Sequence, residues 1–121
     1  MTALFVDCPT GLAGDMLLAA FLDLGVPRAV IEAPLAVLGL EQVYALTVSE
    51  DRSAGLRGLR LSVEGLELEP PHRLWHDIRA LIMAADWSEP LRARVLTVFK
   101  ALAEAEAAVH GHPIDEVHFH E

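Results

Sequence analysis

The chain has 121 residues, 53% of them apolar, and nine Lys/Arg against eighteen Asp/Glu give it a net charge of −9. Phosphate backbones are held by clustered cations, so a single lysine, Lys100, argues against a nucleic-acid partner. The longest uninterrupted apolar run, Met16 to Leu22, is far too short to span a membrane, and no basic n-region marks a secretory leader.

A chain of this length buries roughly two thirds of its unfolded surface, so residues 1–121 suffice for one domain without disulfide or structural metal. Cys8 stands alone, which excludes an internal disulfide framework and fits a reducing cytoplasm. The mean hydropathy of +0.35 is high for a free-standing monomer. Either the core is generous, or an apolar face packs on a further domain or on another copy in a homo-oligomer. The acidic balance concentrates cations at the surface, although solubility alone also accounts for it.

Ala3 to Val6 is a short apolar run, as expected of a strand buried on both faces. A glycine loop follows, and Asp15 is placed to cap a helix from Met16 to Leu24, which Gly25 ends. That helix is apolar almost all round and should lie deep. Pro27 opens a second helix towards Leu38, and Pro34 inside it should kink or split it. Val43 to Ser49 reads as a strand, and Leu59, Leu61 and Val63 alternate with polar residues in another, with Glu50 to Gly58 as a longish connection.

Pro70-Pro71 precedes two amphipathic helices. Trp75, Ile78, Ile82 and Ala85 share a face of the first; Leu91, Val95, Phe99, Leu102, Ala105 and Val109 share one of the second. Ser88 is an N-cap, Pro90 is tolerated in the first turn, and Gly111 is a stop. The order β-α-α-β-β-α-α predicts an α+β domain, a small sheet of about three strands covered by about four helices.

Two segments carry chemistry. In Asp7-Cys8-Pro9-Thr10-Gly11-Leu12-Ala13-Gly14-Asp15, a strand runs through glycines into a helix N-terminus. Gly11 and Gly14 allow close backbone approach, and the first helical N–H groups point into the loop, as at a phosphate or carboxylate site. Neither the P-loop nor the dinucleotide spacing is present; Asp7 and Asp15 would instead suit a hard divalent ion bridging to a phosphate. The plainer alternative is a turn followed by a capped helix. Cys8 has the same two readings, a thiolate near a helix start or a small packed hydrophobe.

At the other end, four of the six histidines fall within the last twelve residues. Residues i and i+2 share a face only in extended chain, so a strand over Val117 to Glu121 aims His118 and His120 the same way and turns Phe119 to the opposite side. With Glu121 adjacent, imidazole and carboxylate donors of this kind suit Ni²⁺, Zn²⁺, Cu²⁺ or Fe²⁺. His110 and His112 add a ligand or lie in solvent. His72 and His76 read as neighbours one helical turn apart, and Arg73 beside them is either solvated or a holder of a substrate anion.

Read together, these segments resemble the N-terminal part of the nickel insertion proteins that complete the nickel-pincer nucleotide cofactor of lactate racemase. The matching blocks are Asp7 with Gly11 to Met16, Leu22 to Gly25, His72-Arg73 with Asp77-Ile78, Phe99 with Leu102 to Glu106, Val109 to Gly111, and Glu116 to Glu121. They occur in order along the whole chain. Two positions depart from the pattern: Leu74, where a second histidine is common, and Pro34.

The resemblance implies a chelatase-type, CTP-dependent insertion of Ni²⁺ into a pyridinium bis-thiocarboxylate mononucleotide, assisted by Mg²⁺ or Mn²⁺. It also implies a longer architecture with a distinct C-terminal domain as partner, and this portion alone being inactive. Asp7, Asp15, His118, His120 and Glu121 are then the candidates for metal or metal-bridged substrate contact, and Gly11, Gly14 and Arg73 for the nucleotide, which the C-terminal region is at least equally placed to bind. The rival classes are a metal-delivery module without catalysis and an assembly domain whose histidines are incidental.

Overall fold

The computed structural model describes residues 3–69 and 71–119. The fold is α+β, and the chain divides into two compact units. The first comprises Met1–Ile31 and Gln42–Leu66; the second comprises Glu32–Glu41 and Glu67–Glu121.

In the first unit, helix α1 (Gly14–Asp23) packs on an antiparallel hairpin of β1 (Tyr44–Ser53) and β2 (Leu56–Gly65). Val48 stands opposite Leu61 and Leu46 opposite Val63, so the two alternating patterns share one face. Ala19, Leu46 and Leu61 form the buried centre, with Leu18, Leu22, Tyr44, Val48 and Leu59 around it. Burying each such leucine contributes about 1.5–3 kcal/mol.

The strands run further than expected, and their connection is a two-residue turn rather than the span Glu50 to Gly58. Ala54 and Gly55 both take positive φ, 49° and 80°, the backbone that a tight hairpin requires. Polar residues extend the ladder where hydrophobic alternation has stopped. Arg60 donates to Asp51 through Nε and Nη2 at 2.9 and 2.6 Å, and Arg57 donates to Glu50 at 3.1 Å, both diagonally across the strands.

Three N-terminal expectations are corrected. Residues 3–8 form no strand: Leu4, Phe5 and Val6 are exposed, Phe5 at 88%. Nothing among the described residues adds the ladder that a doubly buried strand requires. Helix α1 is not deep; only Ala19 is buried, and Met16 and Leu24 face outwards. Pro34 neither splits nor ends α2 (Ala29–Val37). The one bond it removes would have ended on the carbonyl of Val30, an exposed residue where water can take its place.

In the second unit, α3 (Trp75–Ala84) and α4 (Glu89–His110) pack together, burying Trp75, Ile82, Ala85 and Ala103. The expected punctuation is present: Ser88 precedes α4 with Pro90 in its first turn, and Gly111 closes it in a left-handed conformation, donating to the Ala107 carbonyl at 2.8 Å. Arg92 donates to the carbonyls of Ala85 and Trp87 at 2.8 and 3.2 Å, and Trp87 Nε1 donates to the Pro34 carbonyl at 3.0 Å. A 3₁₀ turn (Ile114–Glu116) leads into β4 (His118–Phe119), which pairs antiparallel with β3 (Arg73–Leu74). Among the described residues the strands form two two-stranded sheets, β1–β2 in the first unit and β3–β4 in the second, approximately the small strand set expected of an α+β fold.

Candidate functional site

The first unit holds Asp7, Gly11, Gly14 and Asp15. The Gly11 N–H donates to the Cys8 carbonyl at 3.0 Å and closes a turn, and φ of 98° at Gly11 explains the glycine. Gly14 instead opens α1, and a Cβ at either position would meet nothing within 4 Å. The Asp15 carboxylate accepts the N–H of its neighbour Met16 at 2.8 Å and lies in the first turn, while the N-cap position belongs to Ala13. Asp15 is therefore a first-turn acid favoured by the helix dipole, not the cap residue.

Beside it runs an open groove of about 620 Å³, lined by Asp15, Asp51, Ser53, Arg57 and Arg60 among others. Both guanidinium groups there are already held. Asp23 and then Glu50 raise the pKa of Arg57 above its ordinary value, and hydrogen bonding from Arg60, with the Arg52 N–H, holds the Asp51 carboxyl below its own. An incoming anion would have to displace these carboxylates.

The second unit holds Arg73 and His118, whereas His120 and Glu121 lie outside the described residues. Arg73 pairs with Phe119 and Leu74 with His118, and the Trp75 N–H donates to the Val117 carbonyl at 2.7 Å. As alternation predicts for a strand, His118 is exposed and Phe119 is partly buried. Phe119 meets Phe99 edge-on at 5.9 Å between ring centres, and Phe99 stacks on Trp75 at 6.4 Å. The half-buried Arg73 reaches Glu67 at 3.4 Å through Nη2.

The ribbon also brings together two residues that sequence reasoning had not paired. The His72 and His118 rings lie 5.7 Å apart at an interplanar angle of 84°. His76, assigned as the neighbour of His72, sits instead in α3, where it bonds Asp77 at 2.8 Å. Two-residue strands are too short for hydrophobic alternation to mark. The available signal was Leu74 with Phe119, one apolar residue in each segment beside the histidines. Among the described residues, no three His, Cys, Asp or Glu side chains gather into a group suited to one cation.

The family model described as nickel insertion protein matches residues 4–121. The chain belongs to that family. It is 44% identical over 121 residues to a putative nickel insertion protein of a Synechococcus species, covering all of this chain and 30% of the relative. It is 45% identical over 121 residues to a pyridinium-3,5-bisthiocarboxylic acid mononucleotide nickel insertion protein of a Nocardioides species, again covering 100% and 30%. Against the protein of that name from Akkermansia muciniphila the figures are 40% over 128 residues, 100% and 32%. This nickel insertion family member thus spans about a third of the length of the curated relatives it matches. No solved structure matches it. Among its described residues, no helix is long and apolar enough to cross a membrane.

Proposed function

We propose that the chain is the N-terminal part of a CTP-dependent nickel insertase, which places Ni²⁺ in a pyridinium bis-thiocarboxylate mononucleotide to complete the nickel-pincer cofactor of lactate racemase. The observation that carries this reading is the family match over residues 4–121, together with the names of the Nocardioides and Akkermansia relatives. Nickel is here a substrate. Soft sulfur and carbon ligands of the pincer capture a borderline metal from nitrogen and oxygen donors, so the protein side must hold it loosely enough to release it.

Asp7, Asp15, His118, His120 and Glu121 are the proposed metal contacts, and Gly11, Gly14 and Arg73 the proposed contacts of the nucleotide substrate. For Arg73 the support is a long 3.4 Å pair with Glu67, which a phosphate or thiocarboxylate can replace. CTP with Mg²⁺ or Mn²⁺ would supply the driving force. The described residues do not fit a metal triphosphate: nothing encloses the Gly11 and Gly14 loop, and Arg57 and Arg60 are bound by carboxylates. No step through it is assigned to this chain.

The proposed partner is the C-terminal region of the family architecture, and the cytoplasm is the proposed location. The exposed apolar residues Leu4, Phe5, Val6, Met16 and Leu24 support such a partner, since burying them is favourable. The test mixes this chain with the remaining region of a relative, the bis-thiocarboxylate mononucleotide, Ni²⁺, CTP and Mg²⁺, and follows nickel incorporation. Incorporation that requires both polypeptides supports the proposal. Full incorporation by the C-terminal region alone overturns it, and nickel binding without incorporation assigns the chain to delivery.

A further inference from the structure

We propose that His72 and His118 form a two-imidazole station for a nickel-class divalent cation, a pairing that deepens the nickel-handling reading and rests on it. Two imidazoles bound to one ion at about 2.1 Å, with ligand angles of about 90–110°, hold their ring centres roughly 4.5–5.5 Å apart. The observed separation is 5.7 Å, with the rings nearly perpendicular. It lies just beyond the bound range.

The backbone beneath His118 is fixed. Leu74 stands opposite His118, and His72 precedes β3 by one residue, two before Leu74. On the other face, Phe119 packs against Phe99, which stacks on Trp75, and the Trp75 N–H to Val117 bond ties the strand ends together. Arg73 is the nearest cation in sequence, but alternation sends it to the face opposite His72, and it is engaged by Glu67. Its charge is thus partly neutralised.

The donor set suits the task. Neutral imidazole binds Ni²⁺, Zn²⁺ and Cu²⁺, the borderline ions that nitrogen donors suit. Both histidines are exposed, so an acceptor molecule can approach them. A site that keeps a coordination position open can pass its metal on, whereas a closed four-ligand site retains it.

The test titrates Ni²⁺ alone into the 121-residue chain by calorimetry, for the unaltered chain and for His72→Ala, His118→Ala, the double variant and His76→Ala. Circular dichroism checks that each variant folds, and because both histidines are exposed the substitutions disturb little packing. Either single substitution is expected to weaken binding at least tenfold. The double variant should lose little more than the singles, since they share one ion, and His76→Ala should bind as the unaltered chain does. As a second readout, Zn²⁺ should shift the imidazole nitrogen resonances of His72 and His118 together. Unchanged affinity in His72→Ala, with loss in His118→Ala, overturns the pairing and leaves the nickel reading intact. No Ni²⁺ binding by the unaltered chain overturns both.

Discussion

The backbone N–H of Trp75 donates to the carbonyl of Val117 at 2.7 Å, and both residues are buried, 3% and 5% exposed. This bond fixes the register of the β3–β4 ribbon. A slip by one residue would turn His118 inwards and Phe119 out to water. The position of the histidine pair is therefore set by the aromatic packing behind it.

Phe119→Ala tests that dependence. The partly buried ring has Phe99 as a partner, and its loss should destabilise the second unit by about 1–3 kcal/mol, less than a fully buried Phe→Ala costs. Urea unfolding measures this. Nickel affinity at the proposed station should also fall, although neither histidine is touched. Unchanged affinity would mean that the ribbon does not position the pair.

Ala103 is 0% exposed on α4, which packs on α3. Its methyl group permits close approach of the elements around it. Ala103→Leu should cost about 1–3 kcal/mol through overpacking, seen as a lower urea midpoint with little change in slope. Ala101→Leu, at an exposed position of the same helix, should be near neutral.

The two long helices were legible because their apolar positions recur over several turns and Ser88, Pro90 and Gly111 mark the ends of α4. The hairpin was half legible: Leu46, Val48, Leu59 and Leu61 gave its centre, but Asp51, Arg57 and Arg60 continue the ladder through charge pairing, which alternation does not detect. The segment 3–6 has the composition of a buried strand without a partner strand among the described residues, so its local pattern and its surroundings disagree. At the site, alternation gave the opposed faces of His118 and Phe119. The approach of His72 came from chain reversal over more than forty residues, which no local spacing encodes.

The Asp51–Arg60 pair predicts a small acid dependence. Hydrogen bonding to Arg60 lowers the Asp51 pKa below its ordinary 3.8. The unfolded chain therefore takes up this proton first as pH falls, and the folded state loses the contribution as pH drops through the lowered value. The stabilisation is fully present above pH 3.8 and disappears below it. Both groups are exposed, so salt should diminish the effect. Carboxyl resonances recorded against pH should show Asp51 titrating nearer its ordinary value in Arg60→Ala; an unmoved midpoint would rule out the pair as the cause.

Phe5 is 88% exposed, so Phe5→Ser should leave the stability of this chain within about 0.5 kcal/mol. The same substitution should weaken association with the C-terminal region of a relative, and that region should slow amide exchange at residues 3–7. Exchange that is equally fast with and without the region would remove this segment from the proposed contact surface.

Leu74→His adds a donor where the ribbon register predicts that one will count. Leu74 is paired directly with His118, whose ring lies 5.7 Å from that of His72, so a further imidazole there joins the pair. The replaced leucine is half-buried, and the substitution should cost about 1 kcal/mol of stability through lost apolar burial. Nickel affinity should rise tenfold or more, and removing His72 from this variant should reverse most of the gain. A station with an added imidazole also holds its ion longer, so transfer to a competing chelator should slow in proportion. If affinity and release are both unchanged, the exposed face of the ribbon does not gather a cation, and the histidine pair is an ordinary edge-on packing contact.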